Sequence, residues 1–206
     1  MLSSDLKVIR LSGMAGKLRE LGEQADQVAA DAVNDTAKFA YDKGRDSILD
    51  DVLFPPGYLD VGGRFVISKK ATTSNPEATI RARDRATSLS RFVVGNPKPY
   101  ARGGVRVRVK RKGTAKVLNR AWVTGLNNNN RGLAMRVPKG ASIGGRRHGA
   151  RGLPVLRKDG NSATYLLYGP SVNQVFKGNA KSLAPEISEY MAASFTRRYQ
   201  RIINKK

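Results

Sequence analysis

Apolar and polar residues follow two different periods along this chain. Asp5 to Leu11 reads as a short strand leading into a helix. Apolar residues then recur at steps of three and four: Leu11, Met14, Leu18, Leu21, Ala25, Val28 and Ala32, continuing through Val33, Ala37, Ala40 and Ile48. This spacing places them on one face of a long helix. Glu20, Glu23, Asp26, Asp31 and Asp35 fall mostly off the stripe, facing solvent or a basic partner. The stripe suits a coiled-coil seam or a helix lying along a sheet. Its many alanines favour the sheet, because small side chains permit close approach. Phe54-Pro55-Pro56-Gly57-Tyr58 ends the helix, since proline removes a donor and fixes φ.

Beyond Tyr58 the period becomes two. Gly63 to Ser68 reads as a strand, and Glu77 to Arg83 as its hairpin partner across an Asn-Pro turn. Leu89 to Val94 is apolar but without a clear period. In Gly104-Val105-Arg106-Val107-Arg108-Val109-Lys110 valines alternate with cations, so one face packs and the other carries positive charge. Lys116 to Thr124 and Arg131 to Val137 read as a hairpin joined by an asparagine-rich turn. Residues 138–153 form a glycine-rich basic loop, expected to be flexible, and Ala163 to Leu167 a last strand. A short helix is predicted over Pro170 to Phe176. An amphipathic one follows over Pro185 to Ile203, with Ile187, Met191, Phe195 and Ile202 inward and Arg197, Arg198 and Arg201 outward. The expected fold is therefore α+β: a mainly antiparallel sheet packed by a long N-terminal helix and a C-terminal amphipathic helix. A single domain over residues 1–206 is expected, with an extension over 52–100.

Charge changes this picture most. The formal net charge is +22. Residues 1–62 carry net −4, residues 63–160 net +21 and residues 161–206 net +5. So asymmetric a field attracts a polyanion or an acidic protein surface. Arg102, Arg106, Arg108, Lys110, Arg111, Lys112 and Lys116 form one cluster, and Arg146, Arg147 and Arg151 a second. Such clusters neutralise phosphates without reading sequence. Aromatic residues that could stack bases are sparse within them, and no zinc finger or helix-turn-helix pattern occurs.

Other chemistry finds little support. Cysteine is absent and His148 is the one histidine, which excludes disulfides and multi-histidine metal sites. No metal or other cofactor is expected. Gly140-Ala141-Ser142-Ile143-Gly144 matches the G-x-S-x-G nucleophile elbow, but Gly145-Arg146-Arg147 follows where an elbow needs a helix. Carboxylates in the basic stretch, Glu77, Asp84 and Asp159, stand alone, so general acid/base pairs have no home there. A non-enzymatic protein is expected. No apolar run is long enough to cross a bilayer, and the N-terminus lacks the pattern of a signal peptide. Both point to the cytoplasm, or to a particle assembled there.

Two stretches carry a resemblance. Leu118-Asn119-Arg120-Ala121-Trp122-Val123, followed after the asparagines by Gly132-Leu133-Ala134-Met135-Arg136-Val137, is similar to a phage strand pair. Leu166-Leu167-Tyr168-Gly169-Pro170-Ser171-Val172-Asn173-Gln174-Val175-Phe176 resembles the minor tail protein Z family, the tail-completion proteins of long-tailed phages. The resemblance marks Trp122, Arg136, Tyr168, Gly169, Pro170, Ser171, Gln174 and Phe176 as motif or core positions. It implies a virion protein at the head-proximal end of the tail, assembled in the host cytoplasm. The protein would form a ring with itself, a hexamer by analogy with related head-to-tail proteins. Its neighbours would be tail-terminator, tail-tube and head-connector proteins, with genomic DNA passing through the lumen and no membrane contacted. In a ring the basic segment could face DNA or grip acidic neighbours, and the acidic N-terminal helix could pair with a neighbour's basic sheet.

Overall fold

A computed structural model describes residues 6–8, 23–126, 130–143, 146–147 and 155–204. About 40% of the chain is helix and 29% strand, and the strands pair antiparallel, giving the expected α+β class. The elements in order are β1 (Leu6–Val8), α1 (Glu23–Asp51), β2 (Phe65–Lys69), β3 (Ala78–Ala82), β4 (Thr87–Ser88), β5 (Val105–Val107) and β6 (Lys116–Leu118). They continue as β7 (Ala121–Gly125), β8 (Arg131–Pro138), β9 (Ser142–Ile143), β10 (Arg146–Arg147), β11 (Val155–Asp159), β12 (Ser162–Leu166), β13 (Tyr168–Gly169) and α2 (Val172–Ile203).

The chain groups into two compact units. The first comprises Met1–Leu49, Gly57–Asp84 and Val172–Lys206, the second Asp50–Pro56 and Arg85–Ser171. Segment 52–100 is divided between them, and its hairpin belongs to the first. The last two residues of α1, Asp50 and Asp51, belong to the second.

In the first unit β2 and β3 form the expected hairpin, and β1 adds to the far side of β3 with Leu6 opposite Ile80. The described part of the α1 stripe is buried as its spacing predicts: Ala25, Val28, Ala32, Val33, Ala37, Ala40 and Ile48. Ala30, Val33 and Ala37 pack with Ala71 and Ala78 of the sheet side and with Met191 of α2. The stripe is thus a helix-on-sheet face, and its alanines allow the backbones to approach. Residues 9–22, which hold the expected helix start, lie outside the described residues. A larger aromatic group packs where the alanines end. The Phe65 ring meets Phe176 edge-on at 5.0 Å and Tyr41 at 5.0 Å. A Cβ on Gly44 would come within 2.7 Å of the Phe176 ring. That helix position therefore admits only glycine without repacking.

The C-terminal half of the first unit departs from expectation. One helix of 32 residues, α2, runs through Pro185 where two helices were predicted. An interior proline costs about 3 kcal/mol, through a lost N–H bond and a clash with the preceding turn. Packing on both sides of Pro185 offsets this. Upstream, Phe176 is buried and the Asn179 amide donates to the Ser47 carbonyl at 3.2 Å. Downstream, Tyr190 stacks on Phe39 with centroids 4.1 Å apart, and Met191 is buried. Arg198, expected to point outward, instead turns to α1. Its guanidinium donates to Asp35 Oδ2 at 2.7 Å and Asp31 Oδ2 at 3.1 Å, and Ser194 adds a bond to Asp35 at 3.1 Å. Asp42 raises the Lys38 ammonium above its usual value, by hydrogen bond first and charge second. Asp60 raises Arg45 in the same way.

The second unit is built on a four-stranded sheet in the order β11-β12-β8-β7. β8 is central and long, with Gly132, Leu133, Ala134 and Val137 buried. It pairs with β7 as expected, with Trp122 opposite Ala134, and with β12, with Tyr165 opposite Met135. The predicted strand Lys116–Thr124 is two strands. β7 joins the large sheet, while β6 pairs with β5 in a separate ribbon. β11 lies within a stretch for which no strand was predicted. Val155 and Leu156 are both exposed at that sheet edge, so no alternation marks it. The expected flexible loop contains a minimal hairpin, β9 with β10.

Candidate nucleic-acid interface

The alternating Val/Arg run forms a shorter strand than its pattern suggests, because its backbone changes partners. Within β5, Val105 and Val107 are buried and Arg106 is exposed, as alternation requires. One side of β5 pairs with β6, placing Arg106 opposite Val117. The other side takes Val93 as a bridge to Val107, and the Val94 N–H donates to the Arg106 carbonyl at 2.9 Å. From Arg108 onward the ladder turns to the end of α1. Leu53 N–H donates to the Val109 carbonyl at 2.8 Å, and Arg111 N–H to the Asp51 carbonyl at 3.0 Å.

This switch sorts the expected cation cluster. The Lys110 ammonium lies 2.6 and 2.8 Å from the two Asp51 oxygens, so its charge is compensated. The Arg108 guanidinium donates to the Arg111 carbonyl, which fixes the arginine without neutralising it. Arg111 is exposed and engaged. Arg106, Lys112 and Lys116 are exposed, and no described carboxylate pairs with them. Arg106 and Arg108 wall a cleft of about 690 Å³ whose floor includes Leu53, Phe92 and Val94. No acidic side chain lines it.

Arg102 lies apart from that cleft. It lines a second one, of about 360 Å³, with Tyr100, Arg120 and Trp122. Sequence reasoning assigned neither Tyr100 nor Arg120, and took Trp122 as a motif position only. Arg146 and Arg147 lie on β10, their backbones paired with Ile143 and Ser142. Arg151 and His148 lie outside the described residues. Because β10 follows Ser142 where a nucleophile elbow requires a helix, the G-x-S-x-G match has no elbow geometry. Among the described residues no group of three or more His, Cys, Asp or Glu side chains could hold a metal ion. No helix among them is long and apolar enough to cross a membrane.

The motif positions serve mainly as structure. Tyr168 and Gly169 form β13, paired with Ser88 and Thr87, and a Cβ on Gly169 would meet the Phe92 ring at 3.1 Å. Pro170 is half-buried and Ser171 buried, just before the first turn of α2. Gln174 faces outward on that turn and is engaged, while Phe176 is buried. Arg136 extends from β8 to Asp159 at 3.5 Å. Comparison with known protein families, with curated proteins and with solved structures finds no match. The functional reading therefore stands on this geometry and on the resemblance of the residues quoted for it.

Proposed function

We propose that the chain is a non-enzymatic structural protein of a phage tail. In this reading it forms a ring at the head-proximal end of the tail tube and helps build the neck through which DNA passes. One observation carries the reading: Arg106, Lys112 and Lys116, on and after β5, are exposed and have no carboxylate partner among the described residues. An exposed, uncompensated cationic face is suited to a polyanion held close by assembly, and its attraction needs no base readout. The Tyr168–Phe176 run, similar to the tail-completion family, supports placing that face in a virion. The acidic helix supports an anion other than a second copy. Asp31, Asp35 and Asp42 of α1 are already paired within the chain, to Arg198 and Lys38. Electron microscopy of the purified full chain should show rings, and purified virions should contain the protein. A monomeric protein absent from virions would overturn the reading.

A second reading, sequence-independent nucleic-acid binding by the free chain, draws on the two carboxylate-free clefts. It predicts a DNA complex whose affinity falls steeply with salt. Unshifted DNA at low salt would exclude it.

A further inference from the structure

The cleft beside Arg102 combines features that the cationic strand lacks. Tyr100 and Trp122 offer aromatic faces, Arg102 and Arg120 offer charge, and Gly103 and Gly104 form the loop between. Tyr100 is 66% exposed and is the one described non-glycine residue with positive φ, at 60°. Such a backbone costs about 1–2 kcal/mol for a residue with a Cβ. An exposed ring recovers none of that cost by burial. The residue is nonetheless pinned at both ends: its backbone N–H donates to the Val123 carbonyl at 2.9 Å, and its Oη accepts from Thr124 Oγ1 at 3.1 Å. Both partners lie on β7, the strand that carries Trp122. A Cβ at Gly104 would lie 2.6 Å from Asn119 Cα, so the loop is pressed against the β6–β7 turn. Gly103 is open, with nothing within 4 Å of where its Cβ would be. The cleft is thus held in shape on one side and accessible to a ligand on the other. No carboxylate lines it, and neither arginine pairs with one among the described residues.

We propose that this cleft binds one nucleotide unit of a single-stranded nucleic acid, with the base against Tyr100 and Trp122 and the flanking phosphates at Arg102 and Arg120. Aromatic faces accept any base, and the arginines track the backbone, which is the chemistry of sequence-tolerant single-strand binding. The volume falls within the range of small-ligand sites, roughly 300–1,000 Å³. A duplex can reach the arginines with its phosphates, but its bases stay stacked and cannot enter. The inference rests on the second reading above, in that the second unit meets nucleic acid. It needs neither a ring nor a virion.

Trp122 is the single tryptophan of the chain, so its emission reports on this cleft alone. Oligo(dT) added to the full-length protein at low salt should quench it, and a duplex of equal length should leave it nearly unchanged. Tyr100→Ala should weaken oligo(dT) affinity about tenfold, the loss of one stacked base. Arg102→Ala with Arg120→Ala should lower the slope of log affinity against log salt by about 1.4, two single-strand phosphate contacts. Because Tyr100 is exposed and alanine keeps the Cβ that carries the backbone strain, the replacement should leave the thermal midpoint nearly unchanged. Gel shift in parallel separates the two claims. DNA that binds without quenching Trp122, or equally well to Tyr100→Ala, overturns the cleft while sparing the general reading. Absence of any binding overturns both. Equal quenching by inorganic phosphate, or by duplex, overturns the base-stacking assignment.

Discussion

The two units carry the same number of basic residues, 19 each, but 13 carboxylates in the first and three in the second. Their net charges of +6 and +16 therefore differ through the loss of acids, not the addition of bases. In the first unit the carboxylates do structural work. Asp31 and Asp35 tie α1 to α2 through Arg198, Glu186 meets Lys43 at 2.5 Å, and Asp60 meets Arg45 at 3.1 Å. In the second, Asp51 and Asp159 hold Lys110, Arg136 and Arg157, and the remaining cations outnumber any internal partner. The same residue type thus fastens helices in one region and presents uncompensated charge in the other. Self-repulsion in the second unit lowers stability unless an outside anion relieves it.

Substitutions can break or sharpen this contrast. Phe176→Ala should be the most damaging, costing about 3–5 kcal/mol by urea denaturation, because it empties the space against Phe65 and Gly44. A loss below about 1 kcal/mol would show that the aromatic cluster is not what secures α2. Arg198→Ala should cost about 1–2 kcal/mol, since it strands two half-buried carboxylates and removes charge-assisted hydrogen bonds. Arg106→Ala should change stability by no more than about 0.5 kcal/mol, yet reduce the salt slope of duplex binding by about 0.9. Lys110→Ala should leave that slope almost intact, because Asp51 already neutralises the ammonium. Equal slopes for both variants would mean that pairing inside the chain does not decide which cations meet DNA. The smallest effect belongs to Lys38. Asp42 raises its folded pKa above the ordinary 10.5, so its stabilising contribution is present at neutral pH and lost as pH rises beyond that value. The urea midpoints of wild type and Lys38→Gln should therefore converge in strongly alkaline buffer.

What the sequence revealed followed from periodicity. The alanine stripe of α1 is visible because one helix face is buried, and the β2–β3 and β7–β8 hairpins are visible as apolar runs parted by turn residues, although β3 and β8 each bury three successive residues. Pro185 misled because its local cost is offset by Phe176, Tyr190 and Met191, which pack on Phe65, Phe39 and the α1 stripe, partners far away in sequence. β11 escaped because Val155 and Leu156 are exposed together and leave no alternation. The candidate cleft was invisible for another reason. Tyr100 and Trp122 are 22 positions apart in the sequence and come together only because the β5–β6 ribbon folds back between them. A tyrosine followed two residues later by arginine and a double glycine was the local signal available.

The division of the chain into two units also sets an order of events during synthesis. The first unit holds the earliest residues made, but its α1 stripe packs against Met191, and Phe65 against Phe176. It cannot close until α2 has left the ribosome. The second unit has all its segments by Ser171. The strand-rich, cationic half can therefore assemble first, while the N-terminal helix waits with an open apolar face. A chain truncated after Ser171 would present that face to chaperones, whereas the full chain, once released, would have sheltered it.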